Sequence, residues 1–383
     1  MIYDFDQAQE RRGTDSHKWQ RYGDGIIPLW VADMDFVSAE PIIEALRERV
    51  DQRIFGYAQP ADQLQLLILE RLERLYGWEV STEDLILLPG VVTGLNVACR
   101  VYAPPGDAVL VQPPVYSHFI TDPLLHGCVV NDPPLVEKDD TYEIDFDAFE
   151  RSITDRTRLF LLCNPHNPVG RVYTRKELEK LAEICLRHKI VICSDEIHCD
   201  LLYPGSRHLP IATLGPDVAD QTITLMSPSK TFNLAGLGCA FAIIRNPALR
   251  ARWIAGSQGL IPHVNIMGFV AAQAAYRDGQ DWLDQVLAYL RGNKDFLAAY
   301  LRERLPALRM AKIEATYLAW LDCRQSAIRA DPFDFFLREA GVALNDGITY
   351  GKGGEGFVRL NFACPRKLLT EGLDRMADAL QRL

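Results

Sequence analysis

Long apolar runs are missing from this chain of 383 residues: nothing in it approaches the ~20 consecutive apolar residues that a spanning helix requires. Positive charge is also scarce. With 41 Lys and Arg against 51 Asp and Glu the formal net charge is −10, which phosphate backbones and anionic headgroups repel, so neither nucleic acid nor a membrane is an expected partner. The first residues, Met1-Ile2-Tyr3-Asp4-Phe5-Asp6, have neither a basic n-region nor an apolar h-region, and the expected location is the cytoplasm.

A disulfide framework is lacking as well. Nine cysteines are an odd number, and most sit in apolar runs such as Leu159-Phe160-Leu161-Leu162-Cys163, where a thiol behaves as a small hydrophobe, so a reduced compartment fits better. Cys193, His198 and Cys199 lie close together, but no C-x-x-C pair or second cluster accompanies them, and no metal site is expected. There is no low-complexity tract, charge block, fixed-period repeat or long Pro/Gly/Ser linker, so the domains are expected to pack as one unit.

What is present is a 48% hydrophobic composition, ample for sizeable cores. Short β-rich runs alternate with helical patterns: Leu85–Leu88, Ala108–Val111, Leu159–Leu162, Ile190–Cys193, Thr222–Leu225 and Ala240–Ile244. Thr174-Arg175-Lys176-Glu177 is a capping box that opens a helix between the third and fourth runs, the crossover that parallel strands need. The pattern predicts an α/β fold, a three-layer sandwich around a mostly parallel sheet. After residue 245 come a helical stretch from about Asn265 to Leu305, β-rich runs at Thr316–Leu321 and Phe357–Phe362 flanking a helix-like Pro332–Ala340, and a last helix from Arg366, the pattern of a smaller α+β domain. The expected division is 46–280 for the large domain, with 1–45 and 281–383 forming the small one.

In open parallel sheets ligands bind beyond the carboxyl ends of the strands. There the sequence places Asp195 after the fourth run, Lys230 after the fifth, the turn Asn164-Pro165-His166-Asn167-Pro168 after the third, and Pro89-Gly90-Val91-Val92 after the first, where a helix start offers unpaired N–H groups to a phosphate. Each feature alone has an ordinary explanation as a loop carboxylate, a solvated lysine or turn chemistry. Together, with Tyr116 after the second run, they match what pyridoxal 5'-phosphate (PLP) needs: an amine for a Schiff base, a carboxylate for the pyridine nitrogen, an amide for the ring hydroxyl and an aromatic to stack.

The ordered series from Pro89 through Asn167, Asp195 and Lys230 to Arg359 resembles the fold-type I, aspartate-aminotransferase-like PLP enzymes over nearly the whole chain. Trp30-Val31-Ala32-Asp33-Met34-Asp35-Phe36, Phe55-Gly56-Tyr57, Asp195-Glu196-Ile197-His198 and Ser229-Lys230-Thr231-Phe232-Asn233-Leu234-Ala235-Gly236 resemble the MalY/PatB branch of C–S β-lyases. The resemblance implies that Lys230 is the Schiff-base lysine and proton shuttle, that Asp195 pairs with the ring nitrogen, Asn167 with the ring hydroxyl, and that Tyr116 stacks on the ring and serves the chemistry. Val91 and Val92 with Ser227 and Ser229 would hold the phosphate, and Tyr57 would reach it from the other subunit of a homodimer. Arg359 would grip the substrate carboxylate, with Ala32 beside the substrate.

Two departures qualify the transfer. Where aminotransferases often carry Tyr three residues after the aspartate, this chain has His198, for which a packing role beside the cofactor is preferred to direct catalysis. Eight residues after the lysine, Gly238 stands where a phosphate-binding Arg is common. Gly351-Lys352-Gly353-Gly354-Glu355-Gly356 satisfies G-x-G-x-x-G but precedes a strand, so it reads as a mobile loop beside Arg359 and not as a dinucleotide site.

The implied reaction is β-elimination from L-cystathionine or another S-substituted L-cysteine to a thiol, pyruvate and ammonia. A thiol of pKa ~8.5 leaves far more readily than water of pKa ~15.7. The same lysine, aspartate and arginine serve an L-amino acid aminotransferase equally well, and a regulatory PLP-binding protein with weak lyase activity is the third reading.

Overall fold

The computed structural model describes residues 1–59 and 62–383. Its central sheet contains β1 (Leu85–Leu88), β2 (Ala108–Leu110), β3 (Val129–Asn131), β4 (Thr157–Cys163), β5 (Val191–Asp195), β6 (Thr222–Met226) and β7 (Ala240–Ile243), in the spatial order β1-β7-β6-β5-β4-β2-β3. The pairs from β6 through β5, β4 and β2 to β3 are parallel, and β7 runs antiparallel to both of its neighbours. The sheet is thus mostly parallel, as expected, and β3 is an addition. Its three residues, with Val129 half exposed at the sheet edge, are too short and too little buried to stand out as an apolar run.

The alternation along β4 shows how both faces are covered. Leu159 and Leu161 pack with Leu95 and Ala98 of α1 (Val91–Tyr102) and with Trp253, whereas Phe160 and Leu162 pack with Leu178 and Leu181 of α2 (Arg175–Arg187). Successive side chains of a strand point to opposite faces, so a strand buried on both sides reads as one continuous apolar run. The capping box at the start of α2 forms: Glu177 accepts from Thr174 N at 2.7 Å and Thr174 Oγ1 accepts from Glu177 N at 3.3 Å.

The long helical stretch divides into α3 (Ile266–Asp278) and α4 (Gln280–Arg304) at Gly279. A Cβ there would lie 2.5 Å from the Ala275 carbonyl oxygen and 2.7 Å from the Phe232 ring, so the bend needs glycine for close approach. A second, antiparallel sheet follows, with β8 (Arg309–Met310), β9 (Leu318–Asp322), β10 (Asn345–Asp346) and β11 (Phe357–Asn361) in the order β8-β9-β11-β10, and α5 (Arg366–Gln381) packs behind it. Its core takes in Phe5, Ile27, Leu29, Met34 and Phe36 from the N-terminal segment, and Ile27–Pro28 pairs in parallel with Val342–Ala343.

In the glycine-rich segment before β11, expected as a mobile loop, two turns pack closely together. Gly347 and Gly354 approach so closely that a Cβ on Gly354 would lie 1.9 Å from the Gly347 carbonyl oxygen, and Lys352 is tied to Asp132 at 2.7 Å. Glycines here permit tight stacking of two backbone turns, which composition alone does not distinguish from mobility. Among the described residues no helix is long and apolar enough to cross a membrane.

Candidate active site

At the carboxyl ends of β4, β5 and β6, where the second sheet leans over the first, a cavity of about 350 Å³ opens. Lys230, Asp195, Asn167, Tyr116, His198, Val91, Val92, Ser227, Ser229, Arg359 and Ala32 all line it. Tyr57 does not; it stands fully exposed away from the cavity.

Lys230 projects from a single helical turn, Pro228–Thr231, whose N-cap Ser227 accepts from Ser229 N at 3.0 Å. Its Nζ donates to the Ala32 carbonyl at 2.7 Å. Burial, with Arg359 adding to it, pulls the amine down to about 8, while Asp33 and Asp195 pull the other way. An amine so adjusted is a competent base near neutral pH.

Asp195 ends β5 and accepts from Ile197 N at 3.0 Å; burial pushes its carboxyl up to about 7. A carboxylate held this far from water fits a cationic partner. His198, also buried, is driven down to about 3 by desolvation, with Lys230 and Arg359 contributing, so its ring is neutral. Burial likewise raises the Tyr116 phenol, and the Tyr116 backbone N–H donates to the Asn167 carbonyl at 3.1 Å.

Arg359 lies at the centre of β11, with both terminal nitrogens hydrogen-bonded within the protein. Nη1 donates to Asn167 Oδ1 at 3.0 Å, and Nη2 donates to the Trp30 carbonyl at 2.9 Å and to Asn345 Oδ1. Asn167 is thereby oriented with its amide nitrogen as the remaining donor. Asn345 and Trp30 were not legible as site residues. Asn345 sits opposite Arg359 in a two-residue strand that has no apolar signature, and only the β10–β11 register brings the two together.

At the other end of the cavity, Gly90 caps α1 without a side-chain bond, so the first N–H groups of the helix, at Val91 and Val92, have no capping partner. Ser227 and Ser229 face this helix start across the cavity. Gly238, in place of an arginine, has φ +56°, and a Cβ on it would approach the Pro89 carbonyl oxygen to 3.0 Å. The backbone route that shapes the anion cradle therefore disfavours any side chain there.

The donor set fits PLP: an amine, a carboxylate, an amide and an uncapped helix start flanked by two hydroxyls occupy one cavity. Two buried polar atoms that line it, His198 Nδ1 and Arg359 Nε, have no partner within the protein, as a site built to receive a polar ligand requires.

The sequence profile described as aminotransferase class I and II matches residues 25–376. The chain is 42% identical to cystathionine beta-lyase PatB of Bacillus subtilis, covering 98% of this chain and 99% of that protein. Among solved structures it is similar to OvoB, with a TM-score of 0.95 and 45% identity over 99% of each chain. It is also similar to cystalysin from Treponema denticola, a structure containing pyridoxal 5'-phosphate, with a TM-score of 0.96 and 33% identity over 100% of each chain. A match of this length and depth shows that the chain belongs to the aminotransferase class I and II family.

Proposed function

We propose that this protein is a PLP-dependent C–S β-lyase that cleaves L-cystathionine or other S-substituted L-cysteines to a thiol, pyruvate and ammonia. The observation that carries the reading is one cavity that brings together the half-buried Lys230 amine, the buried Asp195 carboxylate and the buried Arg359 guanidinium. The full-length likeness to a cystathionine beta-lyase supports elimination over transamination.

PLP, when bound, supplies an electron sink for the pair left when the Cα proton departs. Lys230 would hold it, Asp195 would keep its ring nitrogen protonated, Asn167 would donate from its amide, and Tyr116 and His198 would pack against it. The N–H groups of Val91 and Val92 with the hydroxyls of Ser227 and Ser229 take the phosphate. Arg359 orients the amino-acid carboxylate, with Ala32 alongside. Once the substrate's own amino group has displaced it from the cofactor, the freed Lys230 amine would take the Cα proton on Nζ, and the Cβ–S bond would break with its electron pair leaving on sulfur. The enamine released hydrolyses to pyruvate and ammonia.

The same reading makes the active unit a homodimer in which Tyr57 completes the neighbouring subunit's phosphate site; the exposed Ile54, Phe55 and Tyr57, neighbours in sequence, support it. It divides the chain into 46–280 and 1–45 with 281–383, which the shared core of the N- and C-terminal segments supports. It also places the protein in the cytoplasm, where nine buried free thiols stay reduced.

The test is pyruvate formation from L-cystathionine by PLP-loaded protein with no 2-oxo acid added, using Lys230→Ala as the blank. Sustained release that needs Lys230 is expected. Turnover only when a 2-oxo acid is supplied would make the protein an aminotransferase.

A further inference from the structure

The backbone of the segment Trp30–Phe36 is held by three side chains, Arg359, Asn361 and Asn233. Arg359 donates to the Trp30 carbonyl at 2.9 Å, and Asn361 Nδ2 donates to the Val31 carbonyl and, at 2.7 Å, to the Asp33 carbonyl. Asn233 accepts from Met34 N and donates to the Met34 carbonyl, both at 2.9 Å. Behind them the buried Lys18 and Trp19 donate to Asp35 at 2.7 and 2.8 Å. Backbone groups held by side chains from several elements, with the Asp35 carboxylate anchored behind them, fix where this segment lies.

The Ala32 carbonyl accepts from two side chains that meet at the cavity, Lys230 Nζ at 2.7 Å and Tyr317 Oη at 2.9 Å. Tyr317 is 1% exposed, immediately precedes β9 and sets its ring edge-on to His198 at 6.2 Å. Its hydroxyl hydrogen-bonds to this carbonyl. We propose that Tyr317 is a positioning residue for Lys230: by donating to the Ala32 carbonyl it shares the acceptor on which the free lysine amine rests, and so sets how readily that amine takes up a proton. The proposal rests on Lys230 being the reacting amine.

The sign follows from the shared lone pairs. With Tyr317 donating, part of the acceptor strength of the carbonyl is already committed and the positive end of an O–H dipole lies near Nζ; both disfavour the ammonium form. Without the hydroxyl, Lys230 becomes the sole donor and its ammonium is held more tightly. The other groups facing the amine stay in place: Asp195 at the end of β5, His198 in the following loop, Asp33 in the pinned segment, Arg359 on β11 and the Tyr116 phenol.

Tyr317→Phe keeps the ring and removes the hydroxyl. Tyr203→Phe is the control, because Tyr203 is equally buried and its hydroxyl donates at 2.8 Å to the carbonyl of Thr316, next to Tyr317 but away from Ala32. The holoenzymes are placed in D2O with L-alanine, which has no leaving group on Cβ, and exchange of its α-proton is followed by NMR against pD. In parallel, PLP is stripped from the full-length chains and labelling of Lys230 by an amine-reactive reagent is followed by mass spectrometry against pH. In both measurements Tyr317→Phe is expected to raise the inflection by about half a pH unit, roughly a threefold loss of free base below it, with Tyr203→Phe unchanged. An unmoved inflection in Tyr317→Phe, or equal movement in both variants, would overturn the proposal. If exchange persists in Lys230→Ala, the reading of Lys230 as the base fails instead, and the labelling profile still decides the role of Tyr317.

Discussion

At Asp195 stability and function pull in opposite directions. Its carboxyl is raised from 3.8 to about 7 by burial, so between these values the unfolded chain has released a proton that the folded chain still holds. Stability therefore falls as pH rises through that window and is level above it. Asp195→Asn removes the titration while keeping an oxygen for Ile197 N. The PLP-free variant should be more stable than the wild type at pH 8, by up to ~4 kcal/mol, with the advantage gone at pH 4. Thermal unfolding at the two pH values checks this, and equal melting temperatures at pH 8 would show that the carboxyl is not strained by its burial. Arg359→Ala should act on binding instead, weakening amino-acid affinity by roughly 2–5 kcal/mol because the truncation also strips a donor from Asn167, Asn345 and the Trp30 carbonyl. An unchanged KM for L-cystathionine would remove Arg359 from the site. These residues were legible because strand ends in a parallel sheet converge and because their chemistry is specific. Tyr317, Asn345 and Trp30 were not, since each acts through a backbone carbonyl or an amide whose partner is far away in sequence.

Among the secondary elements, the turn after Lys230 shows how backbone shape replaces a charge. Gly238 occupies the left-handed region with φ +56° beside the Pro89 carbonyl, and α3 starts directly against this turn: a Cβ on Gly268 would lie 2.5 Å from the Leu237 carbonyl oxygen. Placing an arginine at this position should therefore harm the protein. Gly238→Arg is expected to cost ~1–3 kcal/mol in thermal unfolding and to weaken PLP retention, despite adding a cation. Tighter PLP binding in that variant would show that the turn relaxes freely. The same contacts explain what periodicity could and could not reveal. The apolar runs of β4 and β5 announce themselves because both faces are buried, and Thr174 with Glu177 marks a helix start locally. Strand direction leaves no such trace, so the antiparallel setting of β7 emerges only from the fold, and the break at Gly279 depends on a ring, Phe232, from another element.

For the whole molecule, the proposed homodimer makes the placement of Tyr57 measurable. Tyr57 is fully exposed, does not line the cavity of its own chain, and neighbours the exposed Ile54 and Phe55 in sequence. If it completes the site of a second copy, each active site draws Lys230 from one chain and Tyr57 from the other. Lys230→Ala and Tyr57→Ala homodimers should then each be impaired. Co-refolding them in equal amounts should create hybrids in which one site combines the intact Lys230 of one chain with the intact Tyr57 of the other, while the second site has neither. With random pairing, about half of the dimers are hybrids, so about a quarter of all sites are native. Pyruvate formation should therefore rise to about a quarter of the wild-type rate, well above the mean of the two parents when both are weak. If Tyr57 served its own chain, every site in the mixture would lack one of the two residues and no recovery would appear. A monomer by light scattering under assay conditions, with full activity, would remove the dimer from the mechanism altogether.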